Sequence, residues 1–394
     1  MEEELGNSRA LPFGAGYSRT RALIATRRQF TVRLVSATGY SSNPRQSFYS
    51  EQSLEIAPED QVFRLIMGYR ASQAVGLAVE LAIPDRVADR AKTAAELAQA
   101  TGSDEDSLHR FLRGLCALGV LTEDEQGHFG PTPLSTRLRS GQREHALARM
   151  TLSEGYAAWA ELGHSVQTGK PAYELVHGLP RWEHMAGNPD AIERFNAAMA
   201  ASAQVDGKAL SDACDLSEIS TLVDIGGGRG ALVAAVLTAH PKMRGVIVDL
   251  KPGLEGAPAQ LEAAGVAGRC EIVVGNFFDS VPRGGNAYLL RWILHDWDDK
   301  DAARIIAVCA EAMPPNGRLL VIERVMPERF RATSDDLRLV MADLHMMVVL
   351  GGRERTEAEF RILFAGAGLK LIRKAPLLTG TWVLESVKSS TKPI

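Results

Sequence analysis

Cysteine is scarce in this sequence. Only four occur in 394 residues (Cys116, Cys214, Cys270, Cys309), scattered and without metal-ligand spacing. That argues against a structural zinc site and fits a reducing compartment such as the cytoplasm. Long apolar runs are also missing: none approaches the length of a membrane span, so no membrane partner is expected. A strong charge of either sign is absent too. The formal net charge of −4 gives no sign of nucleic acid or an anionic membrane as the main partner. What is present is an apolar fraction of 45% and a charged fraction of 23%, ordinary for a globular protein, in a chain long enough for two or three domains.

Acids are lacking from one stretch in particular. Leu5 to Ser50 carries seven arginines and no Asp or Glu, with many Ser, Thr and Gly. An Arg- and Ser-rich, acid-poor leader suits an organelle transit peptide, but Glu2-Glu3-Glu4 suits one poorly, which favours a disordered tail. Residues 1–56 are thus expected to form a disordered or leader extension.

Ordered structure is expected from Pro58. Val62, Leu65, Ile66, Tyr69, Ala74, Val75, Leu77 and Leu81 give a helical apolar pattern that Pro84 stops. Two short helices, 93–100 and 103–118, and a two-stranded wing around Val120 and Phe129 then suggest a winged helix-turn-helix over 57–148. A DNA-binding regulator is the rival reading. The charges oppose it: the second helix begins Asp104-Glu105-Asp106, the wing carries Glu123-Asp124-Glu125, and Lys92 to Arg139 holds five basic and seven acidic residues. A structural or dimerising winged helix fits better, with no nucleic acid as partner. Residues 149–216 read as helical and aromatic-rich (Tyr156, Trp159, Tyr173, Trp182, Phe195). Most of these suit core packing, and some suit the lining of a pocket for a flat organic substrate.

From 217 to 394 strands alternate with helices, the pattern of an α/β, Rossmann-like, doubly wound and mainly parallel sheet. Strands are expected at 221–225, 245–249, 271–274, 287–292, 318–324, 370–374 and 381–387. Helices are expected at 230–240, 254–265, 299–313, 335–350 and 356–367. The first strand ends in Asp224-Ile225-Gly226-Gly227-Gly228-Arg229-Gly230, and the second in Asp249, a carboxylate suited to a ribose diol. Gly226-x-Gly228-x-x-Ala231 also satisfies a dinucleotide fingerprint, which keeps NAD open. Asp224 two residues before the first glycine, and the alternation of Gly226, Gly228 and Gly230, favour S-adenosylmethionine (SAM).

Asp224, Asp249, Asn276, His295 and Glu323 fall at or just past strand ends, at one edge of the sheet. His295 closes the run Arg291-Trp292-Ile293-Leu294-His295-Asp296-Trp297. A histidine titrating near pH 6.5 can take a proton from a hydroxyl at neutral pH. Glu323, after the next strand, and Glu354, in Gly351-Gly352-Arg353-Glu354-Arg355-Thr356, are carboxylates that could fix its tautomer. Plainer roles exist for each: a loop histidine before a helix capped by Asp298, a strand-end acid, and a helix-dipole partner before the capping box Thr356-x-x-Glu359.

By these residues the chain resembles the two-domain SAM-dependent O-methyltransferases of plant phenolic and bacterial natural-product metabolism. The likeness runs from Pro58 to Glu385. It is carried by the winged helix, Phe195-Asn196-Ala197-Ala198-Met199, Leu222 to Gly230, Gly275-Asn276-Phe277-Phe278, Arg291 to Trp297 and Gly351 to Thr356. It implies SAM as cofactor, held by Asp224, Gly226, Gly228, Asp249, Asn276, Phe277 and Arg291. It further implies His295 as general base flanked by Glu323 and Glu354, no metal, a homodimer, and substrate contacts from Trp292, Phe195, Met199, His345 and Met346. Methyl transfer to a hydroxyl of an aromatic or polyketide-like small molecule is the expected reaction; a SAM-binding relative with diverted chemistry is the alternative. Three residues depart from the family pattern: Asn276 replaces an acid expected near the adenine, Phe277 replaces a frequent Met, and Arg291 stands where plant members often carry Lys.

Overall fold

Helix starts and stops in the N-terminal region follow from capping chemistry. In the computed structural model, which describes residues 57–377 and 379–389, α1 (Pro58–Glu80) begins with Pro58 at its first position. The leader extension expected over residues 1–56 lies outside the described residues. Pro84 does not end α1. It sits in the first turn of α2 (Ile83–Arg86), where its missing N–H is harmless. Thr93 and Glu96 form a reciprocal capping box on α3 (Ala94–Thr101), and Gly102 closes that helix at φ +68. Asp104 caps α4 (Glu105–Ala117) by accepting from the Ser107 N–H at 2.9 Å. With the antiparallel pair β1 (Leu121–Glu123) and β2 (Phe129–Pro131), these helices enclose Leu97, Leu108, Leu112, Leu115 and Phe129. Two helices and a two-stranded wing are the arrangement the sequence suggested.

A run of short helices follows: α5 (Pro133–Arg137), α6 (Arg143–Thr151), α7 (Glu154–Trp159), α8 (Leu162–Thr168), α9 (Ala172–His177) and α10 (Arg181–Ala186). The long α11 (Pro189–Ala213) then packs against both α6 and the first helix of the catalytic region, α12 (Ala231–Ala239).

The main sheet has seven strands: β3 (Thr221–Ile225), β4 (Arg244–Asp249), β5 (Cys270–Val274), β6 (Ala287–Arg291), β7 (Arg318–Glu323), β10 (Leu369–Pro376) and β11 (Trp382–Lys388). Their order is β10-β11-β7-β6-β3-β4-β5. The five central strands are parallel, and β11 is inserted antiparallel between β7 and β10. Alternate residues feed two cores. Leu222, Leu289, Leu320 and Ile322 face one, with α11, α12 and α13 (Ala257–Ala263). Val223, Ile225, Leu290 and Val321 face the other, with α14 (Asp299–Ala312) and α16 (Glu357–Gly366). Burial on both faces is why these strands read as unbroken apolar runs. The chain reverses direction across the sheet between β3 and β6, so the carboxyl ends of these two strands frame a crevice.

A smaller pairing was not visible in the sequence. β8 (Val325–Met326) runs parallel to β9 (Arg355–Thr356), with Val325 opposite Arg355. This brings the Gly351–Thr356 loop against the segment after β6. There a Cβ on Gly352 would lie 2.0 Å from the His295 carbonyl oxygen, so only glycine fits. Arg353 N–H donates to that same carbonyl at 2.9 Å. The buried Arg355 donates to the carbonyls of Leu294 (2.6 Å) and Trp297 (2.8 Å) and pairs with Asp299 (2.9 Å). The loop therefore holds the His295 turn from outside. α15 (Ser334–Val349) leads into it.

Thermal melts check this clamp. Gly352→Ala is expected to destabilise the chain by about 1–3 kcal/mol through overpacking. Gly114→Ala, inside α4 with nothing within 4 Å of the added methyl, is expected to stabilise it by about 0.5–1 kcal/mol. Equal melting temperatures for both variants would contradict the contact.

Candidate active site

The glycine turn after β3 forms one wall. Gly226, Gly228 and Gly230 take φ of +67, +54 and +74, a left-handed backbone that side chains resist. At Gly226 space is short as well, since an added Cβ would meet the Ile293 side chain at 2.4 Å and the Phe277 ring at 3.7 Å. At the end of β4, Asp249 accepts hydrogen bonds from the N–H groups of Gly228 (2.9 Å) and Leu250 (2.6 Å). Burial raises its pKa above the usual carboxylate value against those two bonds. Asn276, past β5, is exposed, and its Oδ1 accepts from the Phe278 N–H at 3.0 Å. One lone pair of that oxygen is thus used locally.

Beneath the turn lies a buried charged set. Arg291 at the end of β6 donates from Nε to Asp206 Oδ2 of α11 at 2.7 Å. Burial pushes the Asp224 carboxyl up to about 7, against Arg291 and with help from Asp249. Asp224 Oδ2, Asp206 Oδ1, Arg291 Nη2 and, one helical turn before Asp206, Ser202 Oγ are buried and without hydrogen-bond partners. Unpaired buried acceptors beside an unpaired cationic donor are costly unless a ligand carries both complements. The amino-acid tail of SAM, with an ammonium and a carboxylate, does so. A pyrophosphate would face the acids Asp224 and Asp249 instead, which removes the NAD reading left open by the glycines.

The His295 turn follows Trp292 in the chain. Trp292 leaves the strand conformation at φ +54, which ends β6 one residue earlier than the pattern suggested. The Arg291 and Arg324 guanidiniums lie 4.0 and 4.5 Å from its ring centroid. His295 then sits in a short 3₁₀ turn (Leu294–Asp296). Glu323 Oε1 anchors this turn by accepting from the N–H groups of Ile293 (3.0 Å), Leu294 (2.9 Å) and His295 (3.4 Å). His295 Nδ1 is bonded to Glu354 Oε1 at 3.1 Å, and Glu323 Oε2 stands 3.4 Å from the same nitrogen. Glu354 Oε1 also accepts from Arg324 at 2.9 Å.

Burial alone would lower the His295 pKa. Glu323, Glu354 and Asp296 outweigh it and bring it up to about 9. Burial likewise raises Glu354, but His295 and Arg324 hold that carboxylate below its usual range. Glu323, fully buried, is pushed up to about 7. His295, Glu323 and Glu354, separated in sequence, thus converge on one point.

Other expected residues are placed less centrally. Phe195 and Met199 are half-buried and four residues apart on one face of α11, and Phe195 packs edge-on against Trp182. His345 accepts from the Trp159 indole N–H at 3.0 Å. Its pKa is lowered to about 4 by burial and by Arg181, His295 and Arg324, so it is neutral. Met346 is buried on α15. Sequence reasoning missed Asp206, Arg324 and Asp296. Asp296 Oδ1 lies 3.3 Å from His295 Nε2, and burial pushes its carboxyl up to about 6. Its position beside the histidine in the quoted run was the available signal. Asp206, 85 residues from Arg291, gave none.

Comparison with known proteins agrees with this geometry. The O-methyltransferase domain family matches residues 159–370, and the O-methyltransferase dimerisation domain matches 63–141. The phenazine O-methyltransferase PhzM of Lysobacter antibioticus is 40% identical over 327 residues, 82% of this chain and 95% of that protein. The mitomycin biosynthesis 6-O-methyltransferase of Streptomyces lavendulae is 38% identical over 330 residues, 82% of this chain and 93% of that one. An O-methyltransferase of neocarzinostatin biosynthesis, crystallised with SAM and 2-hydroxy-5-methyl naphthoic acid, superposes with a TM-score of 0.70 at 35% identity, covering 81% of this chain and 96% of that one. SAM is the cofactor that the glycine turn, Asp249 and the unpaired Asp224–Arg291 set accommodate. The chain therefore belongs to the family of SAM-dependent O-methyltransferases that carry an N-terminal dimerisation domain.

Proposed function

We propose that this enzyme methylates a hydroxyl of an aromatic or polyketide-like small molecule, with His295 as general base and no metal. Bound SAM supplies a methyl group already activated on a sulfonium. The chain's own task is to align the acceptor oxygen and take its proton. The observation that carries this reading is the Nδ1 bond to Glu354. With its proton held on Nδ1 by that carboxylate, neutral imidazole presents Nε2 as the acceptor, and the imidazolium that forms is stabilised by Glu354 and Glu323. Nε2 faces Asp296 Oδ1 at 3.3 Å and is the ring nitrogen left to meet a substrate hydroxyl. Phenazine, mitomycin and naphthoic acid, named for the relatives, support a fused-ring acceptor class.

Ligand atoms of His295, Glu323 and Glu354 lie within 4.8 Å of one another, close enough for a cation. Their existing bonds favour the metal-free reading. Glu323 Oε1 serves three N–H groups, and the Arg324 guanidinium already neutralises Glu354. A homodimer is supported by the exposed apolar residues Phe63, Leu65, Ile66 and Tyr69 along α1, within the matched dimerisation domain. The domain division we assign is 57–148 for dimerisation, 149–216 for connection and the substrate pocket, and 217–394 for SAM binding and catalysis. No helix among the described residues is long and apolar enough to cross a membrane.

The pH dependence follows from the raised His295 pKa. The imidazole must be neutral to accept a proton, so kcat/KM should rise with pH, reach half its plateau near 9 and level off above it. Glu354→Gln removes a charge that stabilises the imidazolium, so the rising limb should move to lower pH. His295→Ala should lower turnover by about 10²–10⁴-fold with SAM binding retained, and EDTA should change none of these profiles. Unchanged turnover in His295→Ala, or loss of activity in EDTA, would overturn the respective assignment.

Asn276 yields a separate outcome. It retains an acceptor for the adenine amine but lacks the charge of a carboxylate, so Asn276→Asp should tighten SAM binding by about tenfold in calorimetry. Equal or weaker binding would show that Asn276 does not face the adenine.

A further inference from the structure

Arg181, the first residue of α10, lies in the wall of a cavity of about 180 Å³ that is also lined by Glu174, Trp182, Asp296, Trp297 and Leu350. Its guanidinium carbon stands 5.9 Å from the ring centroids of Tyr173 and Trp182 and 5.6 Å from that of Phe195. It has no hydrogen bond or ion pair among the described residues, and its Nε is buried without a partner. The deeply buried guanidiniums are paired: Arg291 with Asp206, Arg355 with Asp299 and two carbonyls.

No acid is bonded to Arg181 among the described residues, and Glu174 in the same wall is exposed and makes no ion pair with it. Glu154 is taken by Arg194 and Ser153. Asp296, the other acid whose field reaches it, is directed at His295 Nε2, 3.3 Å away. A half-buried guanidinium with aromatic walls and no bonded acid is a ready partner for an anion that a ligand supplies. The cavity is about the size of one that admits a single aromatic ring. Through Asp296 it also adjoins the nitrogen that would accept the substrate proton.

We propose that Arg181 binds a carboxylate carried by the methyl acceptor, and that the acceptor class is a hydroxylated aromatic acid. The planar fork of arginine matches a carboxylate with two parallel hydrogen bonds, which fixes the ring as well as its charge. This rests on the methyl-transfer reading above, and it names a specificity-determining residue for that reaction. Ring placement between Trp182 and Trp297 gives the test an optical signal independent of turnover.

The experiment is a tryptophan-quenching titration of the full chain saturated with S-adenosylhomocysteine, using a panel of hydroxybenzoic and hydroxynaphthoic acids and their methyl esters. The best-bound acid should bind at least about tenfold more tightly than its ester. Arg181→Gln should erase that preference while leaving ester and cofactor affinity intact, and Arg181→Lys should keep part of it. Equal affinity for acid and ester, a preference surviving in Arg181→Gln, or no acid bound by the folded protein would each overturn the proposal. Acid-selective binding without methyl transfer would uphold the anchor and overturn the proposed reaction.

Discussion

The hydrogen bond between His295 Nδ1 and Glu354, buried at the edge of the sheet, is the interaction on which the remaining structure depends. A charged pair removed from water holds only with good geometry and with its other atoms satisfied. Backbone groups and Arg324 meet much of this need, while Glu323 Oε2 and Glu354 Oε2 stay buried without a partner among the described residues. Glu323 collects the N–H groups of the His295 turn, and Arg355 collects two of its carbonyls. Arg324 balances the charge of Glu354. The result is a surplus of carboxylate around one imidazole, which stabilises its protonated form.

The fold delivers these groups from three directions. β6 ends in the turn that carries His295, β7 ends in Glu323, and the small β8–β9 pairing brings Glu354 across. Gly352 is what allows the last of these to approach, because a methyl group there would collide with the His295 carbonyl. On the far side of Trp292, the Arg291–Asp206 pair ties α11 to the end of β6 and leaves polar atoms free for a zwitterionic tail. Trp292, at φ +54, thus separates the Arg291–Asp206 pair from the His295 turn along the chain.

The sheet was legible in the sequence because its strands are buried on both faces and its turns need glycine. β3 is Thr221–Ile225 as read, and most other strands differ by a residue or two at their ends. The convergence of His295, Glu323 and Glu354 was legible too, since two of them mark strand ends and the third lies in a specific motif. Four features were not. β8 and β9 have two residues each, too short for any periodicity. The Arg291–Asp206 pair joins residues far apart in sequence and leaves no local signal. Arg181 looks like an ordinary surface arginine until its partners are sought in three dimensions and none is found. The antiparallel insertion of β11 was likewise hidden, because pairing direction is decided by connections and leaves no mark in a strand's own residues.

The most direct test of the central claim is a nitrogen-15 NMR titration of histidine-labelled protein, with His295 assigned by a His295→Asn variant. The account predicts a ring whose Nδ1 stays protonated throughout and whose Nε2 loses its proton near pH 9. Loss of the proton from Nδ1 instead, or titration at about the free-histidine value of 6.5, would contradict it.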